Sequence, residues 1–393
     1  MSILTRKTLV YAELEGSYGI AATLADSTSP MLVEDADYKL DVSNIQRNLY
    51  RNDLSPIADI ITRKMGRMSF KHELRGGGSV GTESRMGRLL RGCTMVATTR
   101  GAAWWGAFLA AAQPNTPAVG WNAGGSLSAL TEPKTIHVQV TTSGASGVAR
   151  CSIGYDDGTA TQTNVAMISG SALSLSGGLA AATITPTWSG TLVAGQAWVA
   201  TAWPPGIQYL PSSDETAYGS LTIRMYKDGM AHLLTGAYGS YKINAQAGQR
   251  ATVEFAFTGF YNAPNDVPLP ANPVLETTLP QQCELGRLHL DGFGVASPIG
   301  NICAVDTFSY DIGNKIDPRM SINAADGFTG IRVTERSSTG GVDPEATLVG
   351  QQDFWSKLAN GRQMPFGMRV GTATGNMWAI HAPAVQYTRL TYK

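Results

Sequence analysis

The segment FKHELRGGGSVGTESRMGRLL, residues 70–90, carries two enzymatic motifs at once. Gly76, Gly78 and Gly81 fit the dinucleotide fingerprint G-x-G-x-x-G. Gly77, Ser79 and Gly81 fit the nucleophile elbow G-x-S-x-G. The dinucleotide reading needs a buried parallel strand rich in Val and Ile, and an acid about 20 residues on. The strand here alternates instead, with Met68, Phe70, His72 and Leu74 on one face and Arg67, Ser69, Lys71 and Glu73 on the other. That pattern belongs to a half-exposed antiparallel strand. No Asp or Glu stands between Glu83 and Glu132, so the ribose-binding acid is missing. The elbow needs an α/β sheet, but the chain shows no βαβ alternation, and His72, His137, His232, His289 and His381 lie scattered. The glycines Gly76, Gly77 and Gly78 therefore read as a hinge that turns a strand sharply into a helix. That helix is expected from about Glu83, capped by Thr82, with Met86, Leu89, Leu90 and Cys93 as one stripe. No catalytic residue, cofactor or metal site is expected, and the chain does not read as an enzyme.

Composition points the same way. The 393 residues are 43% hydrophobic and only 15% charged, with zero formal net charge. A zero balance argues against a dedicated nucleic-acid binder. So sparse a charge suits a surface partly covered by neighbouring subunits. Cys93, Cys151, Cys283 and Cys303 are far apart, which speaks against zinc or a disulfide framework. The N-terminus has no apolar signal-peptide core, and the longest uncharged apolar run, residues 101–112, is short for a membrane span.

Working outward, the expectation is a mainly β chain in several parts. Residues 1–30 read as an N-terminal arm, 31–132 with 206–264 as a first domain, and 133–205 as an inserted small β-sandwich. Residues 265–285 read as a linker and 286–393 as a second domain. The insert opens with alternating Ile136, Val138 and Val140 and holds Trp188, Trp198 and Trp203 as core candidates. Asp228-Gly229 marks a tight hairpin. The last third repeats the order of the first: strand, loop, strand, glycine turn, short helix, hairpin. That order suggests an internal duplication. In the second copy Phe354 and Leu358 share the helix's inner face.

The chain resembles the tail tube (major tail) proteins of long-tailed bacteriophages in their two-domain form. The likeness rests on AELEGSYGIAATLADSTSPMLVED, RNLYRNDLSP and GRMSFKHELRGGG at the start. LTIRMYKDGMAHLLTGAYGSYKI and FAFTGFYNAPNDVPLP carry it in the middle, and FSYDIGNKIDPR and DGFTGIRVTERSSTGG near the end. It implies two tail-tube-type β-sandwich or barrel domains, each with a flanking short α-helix. Residues 133–205 depart from the pattern and look like an immunoglobulin-like decoration. The implied function is structural: rings stacked into a hollow tube through which genomic DNA passes. Three two-domain chains would make a pseudo-hexamer, and six chains are needed if the duplication is false. The implied partners are further copies of this chain and the tape-measure, terminator and baseplate proteins, with assembly in the host cytoplasm and a final place in the virion tail.

Such a conduit should not grip DNA, so an acidic or neutral bore is expected, with Glu73, Glu254, Asp306 and Asp311 as wall candidates. Asn48, Arg51, Asn52, Asp53, Arg319 and Asn323 are the candidates for loops reaching the next ring. Residues 39–91 are basic and 306–345 acidic, a split able to fix register between subunits or simply to face solvent. The alternative function is a secreted carbohydrate-binding or carbohydrate-degrading β-protein using Trp104 and Trp105 as a sugar platform.

Overall fold

A computed structural model describes residues 7–47, 49–50, 57–110, 118–156, 159–284, 286–290, 304–324, 327–346, 348–350 and 352–391. The described residues are mainly β, with two short helices. The chain starts with β1 (Thr8–Leu14), β2 (Val33–Ile45), β3 (Ile60–Glu73), α1 (Met86–Gly92) and β4 (Met95–Arg100). An inserted unit holds β5 (Gly120–Gly125), β6 (Lys134–Thr142), β7 (Arg150–Tyr155), β8 (Gln162–Ala166), β9 (Ala182–Thr187) and β10 (Ala197–Trp203). The chain returns through β11 (Gly206–Pro211), β12 (Leu221–Lys227), β13 (Met230–Gln246) and β14 (Thr252–Tyr261). It ends with β15 (Arg287–Leu290), β16 (Val305–Asp311), β17 (Asn314–Met320), β18 (Phe328–Arg336), β19 (Thr339–Pro344), α2 (Phe354–Ala359), β20 (Gln363–Val370) and β21 (Trp378–Gln386).

A ten-stranded sheet organises the body, its main path running Pro30–Met31, β1, β12, β13, β14, β3, β2. β13 is long enough to serve two neighbours on one edge. Its first half pairs with β12 and its last residues with β16, while β14 lies along its other edge. The β12–β13 turn is Asp228-Gly229, both at positive φ, as a two-residue hairpin with the right strand twist requires. Alternation places Met68, Phe70, His72 and Leu74 inside, with Val253, Phe255 and Phe257 beside them. Met86, Leu89, Leu90 and Cys93 close the same core from α1. Each such fully buried side chain contributes about 1.5–3 kcal/mol.

The structure departs from the sequence expectations in several places. Residues 8–14 are not an arm: Val10, Tyr11 and Ala12 are buried in β1, an interior strand between Pro30–Met31 and β12. Of the segment read as a linker, 265–285, the described residues 265–284 do not hang free. They are strapped to the body by Ala231↔Asn265 pairing, by Val274 N–H donating to Asp26 O, and by Cys283 N–H donating to Gln249 O. The two halves do not have separate cores among the described residues. Leu290, Phe308, Ile312, Phe366 and Val370 join the same cluster as Phe70 and Phe257. What the halves do share is a long hairpin each: β2–β3 in the first, and β16–β17 returning through β18–β19 in the second.

The inserted unit has its own core between a six-stranded and a three-stranded sheet. Ile136, Val138, Val140 and Trp198 lie inside it, and Trp188 packs against it. It begins earlier than residue 133, because Trp104–Trp105, Leu109–Ala110 and β5 supply strands to its sheets. Its entry strand β4 and exit strand β11 pair from Met95↔Pro211 to Arg100↔Gly206, forming a two-stranded stalk.

The glycine run is not a free hinge. Only Gly78 of the three has a positive φ. A Cβ at Gly76 would collide with the backbone of Gly375 and Asn376, and one at Gly77 with the Thr82 carbonyl. Gly76 N–H donates to Asn376 Oδ1 at 2.6 Å and Gly78 N–H to Gly375 O at 3.1 Å. These glycines clasp a turn 300 residues away. Helix α1 starts at Met86, later than Glu83, with Arg85 at its N-cap, while Thr82 Oγ1 contacts Ser79 Oγ at 2.7 Å. In α2 the buried residue is Lys357, with Phe354 and Leu358 only half-buried. Burial lowers the Lys357 ammonium to a pKa of about 8, with Arg362 adding to the shift.

Candidate assembly surface

One charged cross-strand row crosses the outward face of the main sheet. Reading across β19, β16, β13, β14, β3 and β2, the register aligns Thr339, Asp311, Lys242, Glu254, Lys71 and Glu34. Directly opposed residues of antiparallel strands share a face, so the charges alternate acid, base, acid, base, acid. Three carboxylates and two ammonium groups leave the row at net −1. Lys71 Nζ lies 2.9 Å from Asp35 Oδ2 and 4.0 Å from Glu254 Oε1. The Asp35 hydrogen bond and charge raise the Lys71 pKa above its ordinary value, and Glu254 reinforces them.

Of the four wall candidates, Glu73, Glu254 and Asp311 share this face. Glu254 and Asp311 occupy the row itself, on either side of Lys242. Glu73 lies one row away and is drawn inward, paired with Arg75 and Arg250, while Arg250 also reaches Glu34 at 2.6 Å. Asp306 falls on the opposite phase, with Phe308 and Tyr310, and is exposed near the strand end. The sequence reading took the acids and missed Lys242, Lys71 and Glu34. The alternation signal was there, but only register reveals that the signs interleave.

Behind Glu73, His72 and Glu276 are buried together, with His72 Nε2 3.4 Å from Glu276 Oε2. Burial pushes the Glu276 carboxyl up. His72, the Arg85 N–H at 3.0 Å and the Arg75 charge outweigh it and leave the pKa lowered. This network fastens the 265–285 strap over the end of β3.

The second feature is the outer part of the β2–β3 hairpin. Ile45 pairs opposite Ile60 and Asn44 opposite Ile61. Leu40, Val42, Ile45, Ile60 and Ile61 are all exposed, as are Leu49 and Tyr50 beyond β2. β2 is also the last strand of its sheet, so one of its edges has no neighbour among the described residues. Register shifts at Glu34/Asp37 and Val42/Asn44 interrupt the β2–β3 pairing. Asn48, Arg51, Asn52 and Asp53, the first-loop candidates, lie outside the described residues. Arg319 and Asn323 are exposed at the tip of the second hairpin, beside Met320 and the almost fully exposed Ile322.

Ser79 has Thr82 as its hydroxyl partner, and β3 before it is antiparallel to both β14 and β2. Neither enzymatic motif therefore has its structural context. Trp104 stacks on Trp203 at 6.2 Å between ring centres, and Trp105 packs against the inserted unit's core. No helix among the described residues is long and apolar enough to cross a membrane, and none of their acidic, His and Cys side chains group to hold a metal ion. In comparisons with known proteins, the chain matches no protein-family model and no curated protein.

Proposed function

We propose that this protein is a structural subunit that self-assembles into stacked rings, forming the tube of a bacteriophage tail. One observation carries the reading: a long β-ribbon whose outer half exposes aliphatics on both faces, Leu40, Val42 and Ile61 on one and the Ile45–Ile60 pair on the other. Isolated exposed aliphatics need no explanation, but five of them on the two faces of one protruding edge hairpin mark a contact surface. A second hairpin from the other half of the chain exposes Met320 and Ile322 at its end. Two such ribbons per chain favour three chains per ring over six. Heterologous contacts of this kind repeat from ring to ring instead of closing on a dimer.

The near-neutral charge row suits a wall that DNA slides past, since a basic lining would hold phosphates. Tape-measure, terminator and baseplate proteins are the partners this role calls for. Negative-stain electron microscopy of purified protein is the test. Rings or tubes with an open centre, and a native mass of three chains per ring, are expected. Protein that stays monomeric at high concentration overturns the proposal.

A further inference from the structure

The inserted unit docks on the body through a polar junction. Its six-stranded sheet turns one face inward, and the other face is buried against the C-terminal sheet. On that second face lie His137, Thr135, Val199 and Thr201, all nearly inaccessible. Across the junction, β15, β20 and β21 align His289, Gly367 and His381 in one row. Gly367 has no side chain, and the His289 ring occupies the space a Cβ would take. The His137 and His289 rings are 5.9 Å apart and perpendicular, and His289 and His381 are 6.3 Å apart. Trp203 meets His381 edge-on at 5.9 Å.

Four imidazole nitrogens at this junction have no hydrogen-bond partner: both of His137, and Nε2 of His289 and of His381. The charged groups around them are few. Asp156, at the end of β7, has Oδ2 3.8 Å from His289 Nδ1, and its Oδ1 accepts from Thr135 N–H at 2.9 Å. Glu132 is engaged by Arg287 at 2.9 Å and by Arg369. Both arginines stand on the same sheet face as the histidine row, two residues from His289 and Gly367. Protonating three imidazoles would add up to three positive charges next to two guanidinium groups, with only two carboxylates among the described residues, Asp156 and Glu132, to answer them. A buried charge without a partner is strongly unfavourable.

We propose that this junction is an acid-released latch, in which proton uptake at His137, His289 and His381 undocks the inserted unit from the C-terminal sheet. Burial lowers the His137 pKa to about 3 and the His381 pKa to about 4, and holds His289 well below its ordinary value, with the neighbouring imidazoles adding to the shifts of His137 and His289. Because the docked values are depressed, docking is at full strength above the exposed value of about 6.5. It weakens as pH falls from there toward the docked values. Each histidine that is held neutral only when docked weakens docking about 25-fold between pH 7 and pH 5, and three together about 10⁴-fold.

Hydroxyl-radical footprinting of the full chain from pH 7 to pH 4.5, read by mass spectrometry, tests this. Modification of the buried His137 and His289 should rise at least tenfold, with a smaller rise at the half-buried His381 and Trp203, while Phe255 and Phe257 in the main core stay protected. Junction side chains as protected at pH 4.5 as at pH 7 would overturn the latch. So would exposure of Phe255 and Phe257 in parallel, which means general unfolding. The double variant H137Q/H381Q should cut the acid response of the junction from three protons to the one of His289, and an unchanged pH profile would also overturn the proposal. If the double variant does not fold, H381Q alone should lower the pH slope by one proton.

Discussion

Gly76 and Gly77 show how a single residue type can serve a purpose that its motif conceals. Neither needs a left-handed backbone; Gly76 is small because the Gly375-Asn376 backbone passes against it, and Gly77 because its own turn folds the Thr82 carbonyl back onto it. Gly375 reciprocates, since a Cβ there would meet the backbone of Ser79. Gly77→Ala should therefore cost about 1–3 kcal/mol, the usual range for forcing an atom into a filled site. Gly16→Ala, where nothing lies within 4 Å, should change stability by less than about 0.5 kcal/mol. Urea unfolding curves of the two variants check the contrast, and equal losses would return the glycines to the hinge role. The sequence showed that something unusual happens at 76–78. It gave no sign that the partner was Gly375-Asn376, because a contact across 300 residues leaves no local periodicity.

At the scale of elements, what was legible followed from alternation. Met68, Phe70, His72 and Leu74, and the Ile136–Val140 alternation, all point inward as their period of two demands. The α1 stripe was legible for the same reason at a period of 3.6. Boundaries were not: β1 reads as an arm because its neighbours β12 and Pro30–Met31 are distant in sequence, and only pairing buries it. The β2–β3 hairpin is where element and function meet. Ile60→Lys with Ile61→Glu replaces two exposed aliphatics on the outer ribbon without touching the core. Thermal unfolding should then move by no more than about 0.5 kcal/mol, as for other surface changes. Sedimentation and microscopy should show assembly lost or reduced at least tenfold. Unimpaired tubes would remove this ribbon from the interface.

At the scale of the whole molecule, charge is partitioned as sharply as hydrophobicity. The inserted unit is almost uncharged, with no Asp, Glu, Lys or Arg between Asp157 and Asp214. The main sheet carries its charges in rows. Exposed cross-strand pairs contribute about 0.2–1 kcal/mol each, too little to explain five aligned charges by stability alone. Their more consequential property is cancellation, which an inventory of acids in the sequence could not reveal. If the row faces a bore, the wild-type assembly should retain duplex DNA weakly at about 0.15 M salt. The triple variant Glu34→Lys, Asp311→Lys, Glu254→Lys turns the row from net −1 to five lysines. Each phosphate newly neutralised steepens the dependence of log affinity on log salt by about 0.9. Co-sedimentation with duplex DNA across a salt series should thus show strong, salt-sensitive retention for the variant and little for the wild type. Tight DNA binding by the wild-type protein, or a variant no stickier than its parent, would mean that this face does not line a DNA path.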